Sequence, residues 1–226
     1  MRAPLSIIIP TRNAEAGLAA TLASLMEGLE AGVIREVVVA DGGSTDGTLR
    51  IAEAAGAVIV TGASGRGGQL RAGVAASAGD WIFVLHADTV LDAGWATIVT
   101  DAMARGQAGY GRLAFRAAGF APRLVAGWAN WRSRVFALPY GDQGLLISRV
   151  AYDAAGGYRD IPLMEDVALA QAVKGRLIPL DFTAQTGAER YVQGGWFRRG
   201  GRNLITLIRY LWGADPERLA ASYRRP

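Results

Sequence analysis

The stretch WIFVLHAD, residues 81–88, is the part of the sequence that decides the fold. Its five apolar residues are typical of a strand that is buried on both faces, as in a parallel sheet. In open α/β sheets, ligands bind just beyond the carboxyl ends of the strands. Because side chains two residues apart on a strand point the same way, we expect His86 and Asp88 to face that crevice together and to be able to hold a divalent cation. The alternative is that His86 is a hydrogen-bonded structural histidine and that Asp88 caps a following helix.

The first ninety residues alternate between short apolar runs and stretches with helical spacing, which predicts strands at Leu5–Pro10, Glu36–Ala40, Ala57–Val60 and Trp81–Leu85. Such an alternation predicts an α/β, nucleotide-binding half over residues 1–90. The glycine-rich loop around Arg66 lacks the spacing of the dinucleotide fingerprint and of the phosphate loop. The turn from Asp41 to Thr48 would let a ligand approach its backbone closely, although it could equally be a plain strand-to-helix connection.

The pattern is looser after residue 90. We predict a helix near residues 93–104, a strand at Tyr110–Arg116, and an aromatic helix at Phe120–Leu138. For the tryptophans of that helix, packing in the core is favoured over the alternative of a binding platform. Glu165 and Asp166 follow a proline and mark a helix start, where the helix dipole favours negative side chains. One of the two could serve as a base. We expect one domain, with a catalytic half at residues 91–189 and a basic helical tail at residues 190–226 that contains a helix at Asn203–Trp212.

Composition excludes several kinds of site. The 226 residues include no cysteine and one histidine, so disulfides, thiolate metal sites and multi-histidine zinc centres are ruled out. A metal here would have oxygen ligands, and Mg²⁺ or Mn²⁺ fits best.

Charge is unevenly distributed along the chain. Residues 101–226 carry 17 arginines and one lysine against 10 acids, and eight of those arginines follow residue 189. We expect this tail to meet a diphosphate or an anionic membrane surface. Nucleic acid is not an expected partner, because the sequence has no nucleic-acid-binding signature. No apolar run reaches the length of a signal-peptide core or a membrane span, so we expect a cytoplasmic protein, peripheral at most to the inner face of the membrane.

Taken together, five motifs resemble those of family-2 glycosyltransferases with the GT-A fold. They are Ile8-Ile9-Pro10-Thr11-Arg12-Asn13 with Glu15, Val39-Ala40-Asp41-Gly42-Gly43-Ser44-Thr45-Asp46, Leu85-His86-Ala87-Asp88-Thr89, Pro139-Tyr140-Gly141-Asp142-Gln143-Gly144, and Pro162-Leu163-Met164-Glu165-Asp166-Val167. The sequence is similar to a small bacterial subgroup in which His-Ala-Asp replaces the usual Asp-x-Asp.

The resemblance implies an inverting transfer of one sugar from a UDP- or GDP-sugar to an acceptor hydroxyl. Asp88 would ligate Mn²⁺ or Mg²⁺ on the diphosphate, and His86 would contact metal or ribose. Asp166 would be the general base, assisted by Glu165. The implied donor-binding residues are Pro10, Thr11, Arg12, Asn13, Glu15, Asp41, Gly42, Gly43, Ser44, Arg66, His86, Ala87 and Asp88. The implied acceptor-binding residues are Gly141, Asp142, Gln143, Trp196 and Arg198.

Two other classes of protein share parts of this pattern. A sugar-nucleotide nucleotidylyltransferase would carry a glycine-rich basic signature after the first strand, where this chain has Pro10-Thr11-Arg12-Asn13. A non-catalytic nucleotide-sugar-binding or membrane-scaffold protein would not need both Asp88 and the pair Glu165-Asp166. The Gln-x-x-Arg-Trp motif of processive family members is absent, which favours a single transfer.

Overall fold

The computed structural model describes residues 3–62, 65–173 and 175–223, and within these ranges eight strands form one mostly parallel sheet. The strands are β1 (Leu5–Thr11), β2 (Ile34–Asp41), β3 (Val58–Thr61), β4 (Trp81–Val84), β5 (Thr89–Leu91), β6 (Gly109–Phe115), β7 (Leu145–Ser148) and β8 (Ile178–Thr186). Their order across the sheet is β3-β2-β1-β4-β7-β6-β8-β5. Strands β3, β2, β1 and β4 run parallel, and β7 pairs antiparallel with both β4 and β6.

Helices flank the sheet. They are α1 (Glu15–Ser24), α2 (Met26–Glu30), α3 (Thr48–Ala54), α4 (Gly65–Ala76), α5 (Trp95–Ala104), α6 (Phe120–Phe136), α7 (Arg149–Ala154), α8 (Glu165–Ala172), α9 (Glu189–Gly194), α10 (Trp196–Leu211) and α11 (Pro216–Tyr223). A short 3-10 turn at Gly141–Gln143 precedes β7. In the described part of the chain, no helix is both long and apolar enough to cross a membrane.

Strand β1 shows why the first half folds as predicted. All seven of its residues are buried, and alternate side chains enter two different cores. Ile7 and Ile9 pack on one face with Trp95 of α5, whereas Ile8 packs on the other face with Leu70 of α4. A strand covered on both faces needs a nearly continuous apolar run, which residues 5–10 supply with Ser6 as the one polar side chain.

Several expectations about elements were wrong. Strand β4 ends at Val84, so His86 lies beyond the strand, and Asp88 is followed by strand β5 rather than by a helix. Helix α4 begins at Gly65, which places Arg66 in its first turn instead of in a loop, and the loop positions 63 and 64 lie outside the described residues. The tail helix begins at Trp196, seven residues before the predicted start.

The second half differs from its prediction in two further ways. Strand β8 was not predicted, although it lies between β6 and β5 in the sheet. Helix α6 was expected to pack its tryptophans in the core, but Trp128 and Trp131 are 46% and 49% exposed. The division into halves at residue 90 stays a prediction. The pairing of β4 with β7 joins the two proposed halves in one sheet.

Candidate active site

Two hollows meet at the carboxyl ends of β1, β2 and β4. The outer cleft has a volume of about 810 Å³ and is lined by the loop after β1, Gly42 and the first turns of α4. The inner cavity has a volume of about 140 Å³ and lies between the 3-10 turn, α8 and the tail helices. The residues that line both are Arg66, His86, Asp88 and Arg190. A ligand that passed from one hollow to the other would therefore cross these side chains.

The loops after β1 and β2 form a wall of the outer cleft because their side chains bind each other. Asn13 donates its backbone N–H to Ser44 Oγ at 2.8 Å, and its Oδ1 accepts the N–H of Thr45 at 2.9 Å. Glu15 Oε2 accepts the N–H of Gly47 at 2.9 Å. Among the predicted donor-binding residues, Glu15 therefore acts in the fold as a brace between the two loops, while Asn13 also lines the cleft.

Asp41 organises the turn beneath this wall. Its Oδ2 accepts the backbone N–H groups of Gly43 and Ser44 at 2.9 and 2.8 Å, and Thr11 Oγ1 donates to Oδ1 at 2.9 Å. Burial raises the pKa of Asp41, but the hydrogen bonds from Ser44, Thr11 and Gly43 outweigh that effect and hold the pKa below its usual range. The carboxylate is ionised and occupied by its own turn. Direct contact of Asp41 with a base or ribose stays a prediction.

The turn from His86 to Asp88 is held against α1. Thr21 Oγ1 donates to the carbonyl of Ala87 at 2.9 Å. Gly17 allows the close approach, since a Cβ at this position would lie 3.0 Å from the Ala87 carbonyl oxygen and from the Asp88 Cα. The predicted pair of His86 and Asp88 therefore does share the site, although a turn presents it rather than the last pleat of a strand.

His86 is a neutral imidazole in this environment. Burial is the main cause that lowers its pKa well below the usual value, and the positive charges of Arg66 and Arg190 lower it further. A neutral imidazole can donate one hydrogen bond and can offer its other nitrogen to a cation or a hydroxyl. Gly141 faces it closely, because a Cβ there would lie 2.7 Å from His86 Nε2.

The residues at the junction fit a divalent cation that shares its coordination with a ligand. Asp88 Oδ1 accepts a hydrogen bond of 3.4 Å from Thr186, which leaves most of the lone pairs of the carboxylate available. Among the described residues, no group of three or more His, Asp or Glu side chains is arranged to hold a metal ion. Mg²⁺ is typically bound through one or two carboxylates, with phosphate oxygens and water completing its shell. Asp88 supplies a carboxylate of that kind at the junction of the two hollows.

Asp166 is fixed at the edge of the inner cavity. Helix α8 begins one residue earlier, as predicted, and the carboxylate lies in its first turn. Oδ2 accepts the backbone N–H of Gly141 at 2.8 Å, and Oδ1 accepts that of Val167 at 2.8 Å. Each carboxylate oxygen keeps a second lone pair, so the group can still accept a hydrogen bond from a ligand hydroxyl. Its orientation is set before any ligand binds.

Glu165 is buried beside Asp166 and faces Arg66. Its carboxylate is 2% exposed and lies 3.6 Å from Arg66 Nε. Burial raises the pKa of Glu165 to about 7, with a further contribution from the charge of Asp166, while Arg66 opposes both. Glu165 also lines the inner cavity. Its ion pair with Arg66 links the start of α8 to the first turn of α4.

Asp142 is a second carboxylate of the inner cavity with an unusual environment. Burial raises its pKa to about 6 against the effect of Arg132, and the charges of Asp166 and Asp88 add to the rise. Among the described residues, its Oδ1 has no hydrogen-bond partner, and the same holds for the hydroxyl of Tyr140. The Arg132 guanidinium lies 3.6 Å from the centre of the Tyr140 ring. These unsatisfied polar atoms mark the cavity as a place where a polar ligand would gain hydrogen bonds.

The structure does not bring every predicted residue into the two hollows. Gln143 is fully buried, and its amide is used by Ser133, Tyr140, Gly111 and Asn130. Trp196 is stacked on Tyr191 with ring centres 5.0 Å apart, and Arg198 points to solvent. The nine predicted donor-site residues that do line the outer cleft are Pro10, Thr11, Arg12, Asn13, Gly42, Arg66, His86, Ala87 and Asp88.

Other lining residues were missed from the sequence. They come from the end of β8 and from the tail, and they are Thr186, Gly187, Arg190, Tyr191, Asn203 and Tyr223. The charge of the tail predicted that some of its arginines would meet an anion, which stays a prediction. It did not signal which ones, because that depends on where α9 and α10 pack.

Comparisons with known proteins identify the family and the fold of the chain. The family described as Glycosyl transferase family 2 matches residues 6–158. A search among curated proteins found no match. Glucosyl-3-phosphoglycerate synthase from Mycobacterium tuberculosis, solved with Mn²⁺, UDP and glucosyl-3-phosphoglycerate, superposes with a TM-score of 0.60 at 18% identity, covering 90% of this chain and 79% of that one.

Two further solved structures are similar. Mannosyl-3-phosphoglycerate synthase from Rubrobacter xylanophilus gives a TM-score of 0.60 at 16% identity, with 93% and 75% of the two chains covered. Residues 1–349 of TarS from S. aureus give a TM-score of 0.59 at 17% identity, with 90% of this chain covered. The match spans 64% of that TarS chain, which is less than two thirds of its length. At these identities the likeness establishes the fold, which is GT-A.

Proposed function

Because the chain belongs to glycosyl transferase family 2, we propose that it transfers one sugar from a nucleotide-diphospho-sugar to an acceptor hydroxyl, with inversion at the anomeric carbon. One observation carries the proposal. The carboxylate of Asp166 lines the inner cavity only, whereas His86 and Asp88 line both the inner cavity and the outer cleft. A donor in the outer cleft and an acceptor in the inner cavity would therefore meet at this junction, with a base on the acceptor's side.

The donor-binding part of the proposal concerns the outer cleft. Its volume of about 810 Å³ is in the range of about 300–1,000 Å³ that holds drug-sized ligands. UDP or GDP would lie against the braced loops after β1 and β2, with its diphosphate at Asp88. Arg66 and Arg190 carry positive charge to that junction. A divalent cation held by Asp88, Mn²⁺ or Mg²⁺, would supply further positive charge to the leaving diphosphate.

The transfer itself needs a base and a stabilised leaving group. The acceptor oxygen forms a bond to the anomeric carbon while its proton passes to the carboxylate of Asp166. The bond from that carbon to the diphosphate breaks, and its electron pair stays on the diphosphate oxygen. The two backbone N–H groups that bind Asp166 keep it oriented toward the cavity. Arginine charge at the junction favours the developing anion.

The acceptor is not named by this geometry. The two phosphoglycerate synthases among the similar structures act on a small anionic acceptor, and the inner cavity here, lined by Arg190 and Arg199, would suit a small polar acceptor as well. Peripheral contact with an anionic membrane, predicted from the charge of the tail, remains a separate proposal that the transfer does not require.

The test begins with the donor. UDP-, GDP- and dTDP-sugars are screened with Mn²⁺ and Mg²⁺ by thermal shift, since a ligand at one hundred times its Kd stabilises a protein by about 2.7 kcal/mol. The donor that stabilises the chain is then used to follow nucleoside diphosphate release. If none of these nucleotide-sugars raises the melting temperature, the chain lacks the proposed donor site and the proposal is contradicted.

Asp166→Asn is the decisive variant. We expect nucleotide affinity to stay within about twofold and turnover to fall by about 10²–10⁴-fold, the usual range for loss of a general base. Glu165→Gln should cost less, because Glu165 is engaged with Arg66. Asp153→Asn, at an exposed position of α7, serves as the matched control and should leave turnover unchanged. Near-normal turnover in Asp166→Asn would remove this residue from the role of base.

A further inference from the structure

Helix α6 exposes a row of large apolar side chains that nothing in the described chain covers. Phe120, Leu124, Trp128, Trp131 and Val135 recur at helical spacing and are 46–76% exposed. The opposite side of the helix is buried through Ala126 and Ala129. The rings of Trp128 and Trp131 stack on each other with their centres 5.0 Å apart. The sequence had predicted core packing for these tryptophans.

Helix α10 shows the same arrangement. Thr206 and Leu207 are buried, and Arg199 and Asn203 line the inner cavity. The outward face carries Phe197, Ile205, Ile208, Leu211 and, just after the helix, Trp212, which are 38–86% exposed. The two helices pack against each other, and a Cβ at Gly200 of α10 would lie 3.7 Å from Val125 of α6. The two exposed rows therefore belong to one region of the surface, named here the α6/α10 face.

The charged side chains that α6 and α10 themselves contribute have one sign. Neither helix contains an Asp or a Glu. Arg123 and Arg134 on α6, and Arg198 and Arg209 on α10, are exposed beside the apolar rows. Helices that lie in the interface of a membrane combine aromatic and aliphatic residues on one face with basic residues beside them. Arginine near an anionic leaflet gains about 1 kcal/mol per residue.

A second copy of the chain fits this face less well. In a two-fold symmetric dimer the same patch meets itself, so arginines would meet arginines with no acid on either helix to compensate. Large exposed apolar patches on a monomer mark an interaction site, and the positive rim requires an anionic partner. An anionic lipid surface supplies both the apolar layer and the negative charge.

We propose that the α6/α10 face docks the protein on an anionic membrane surface, with its aromatic and aliphatic side chains in the lipid interface and its arginines at the head groups. The proposal does not depend on the sugar transfer, because none of these exposed side chains lines the outer cleft or the inner cavity. The inner face of α10 does line the cavity, so docking would bring the acceptor side of the candidate active site to within about one helix diameter, about 10 Å, of the lipid.

Vesicle flotation tests the proposal. The full chain is mixed with vesicles of phosphatidylcholine alone and with vesicles in which half of the lipid is phosphatidylglycerol. We expect binding to the anionic vesicles, little binding to the neutral ones, and weaker binding at high salt. The double variant Trp128→Ser/Trp131→Ser and the double variant Phe197→Ser/Ile208→Ser should each lower the partition constant by at least roughly tenfold. Arg198→Gln/Arg209→Gln should lower it by about fivefold for each arginine removed.

Matched controls separate docking from general effects. Val150→Ser removes an 80% exposed apolar residue of α7, and Arg50→Gln removes an exposed arginine outside the α6/α10 face. Both should bind like the unmodified chain. All variants replace exposed side chains, and unchanged melting temperature and nucleotide affinity confirm that they fold.

Three outcomes would overturn the proposal. They are no vesicle binding, equal binding to neutral and anionic vesicles, and full binding by the two serine double variants. Light scattering after size-exclusion chromatography tests the other possible occupant of the α6/α10 face, which is a second copy of the chain. A stable dimer that Trp128→Ser/Trp131→Ser converts to a monomer would assign the face to a second copy instead.

Discussion

Glu165→Gln offers a direct test of the electrostatics of the candidate active site. Glu165 is 2% exposed, and burial together with the charge of Asp166 raises its pKa from 4.5 to about 7. The folded protein therefore holds this proton more tightly than the unfolded chain does. At about 1.4 kcal/mol per pH unit, the difference amounts to about 3 kcal/mol. Ionised Glu165 is thus a liability to folding, even with Arg66 at 3.6 Å.

The sign of the pH dependence follows from proton binding. Between about pH 4.5 and pH 7, the folded state binds more protons at this site than the unfolded state, so the free energy of unfolding falls as pH rises. Glutamine does not titrate. In Glu165→Gln, the fall across this window should be smaller by about 3 kcal/mol than in the unmodified chain. Only the slope of the free energy of unfolding against pH is compared between the two proteins. Their absolute stabilities also differ, because glutamine loses the ionic contact with Arg66.

The assay is urea denaturation, followed by tryptophan fluorescence at a series of pH values across this window. Asp142→Asn is the informative companion, since burial raises the pKa of Asp142 to about 6 and its contribution has the same sign. Asp142→Asn should remove a separate part of the pH dependence of the free energy of unfolding. Asp153→Asn, which changes an exposed residue, should remove none of it. If Glu165→Gln keeps the full slope of the unmodified chain, the carboxylate is not buried in the manner described and the argument fails.

Two further predictions concern the outer cleft. Asp88→Ala should abolish the part of UDP or GDP affinity that Mn²⁺ or Mg²⁺ adds. It should leave the melting temperature within a few degrees, because the hydrogen bond that its carboxylate accepts from Thr186 is long at 3.4 Å. Isothermal titration with and without EDTA measures the part of the affinity that depends on the metal. If EDTA leaves the nucleotide affinity of the unmodified chain intact, the metal has no role in nucleotide binding. Asp41→Asn should lower the free energy of unfolding by about 1–3 kcal/mol and weaken nucleotide binding, because an amide cannot replace all the acceptors that the turn uses. Glu15→Gln keeps an acceptor for the N–H of Gly47, so it should lower both the free energy of unfolding and the nucleotide affinity by less than Asp41→Asn does. Equal losses in the two variants, measured by urea denaturation and titration, would argue against Asp41 as the centre of the turn.

The residues predicted best from the sequence were those whose positions depend on local chemistry. An apolar run that ends in polar residues places Asp88 at the edge of the sheet whether the strand ends at Val84 or at Leu85. The start of α8 at Glu165 follows from the preceding proline and the paired acids in the same way. Both features are specified within about ten residues of sequence, so no knowledge of distant packing was needed.

The features that the sequence did not reveal depend on tertiary packing. Strand β8 carries Pro179 and Asp181, which weaken its local signal, and it is stabilised by pairing with β6 and β5. Arg190 and Arg199 enter the site while Arg198 does not, and nothing in the run of tail arginines distinguishes them before α9 and α10 are placed. The family motif at residues 139–144 implied that Gln143 binds the acceptor, but its side chain hydrogen-bonds Ser133 of α6 and Gly111 of β6 instead.

Met164, the residue before α8, ties the chemistry of the site to its surface mechanically. It adopts a left-handed backbone conformation with φ of 68°, which is costly for a residue other than glycine and persists only where packing enforces it. The side chain of Met164 is buried in a cluster with Val167 and, from α10, Leu207. The helix whose outer face would rest on lipid therefore also packs against the residue that directly precedes Glu165 and Asp166. If α10 rests on lipid as proposed, a displacement of this helix would reach Met164 first and, through Met164, the start of α8 that carries Asp166.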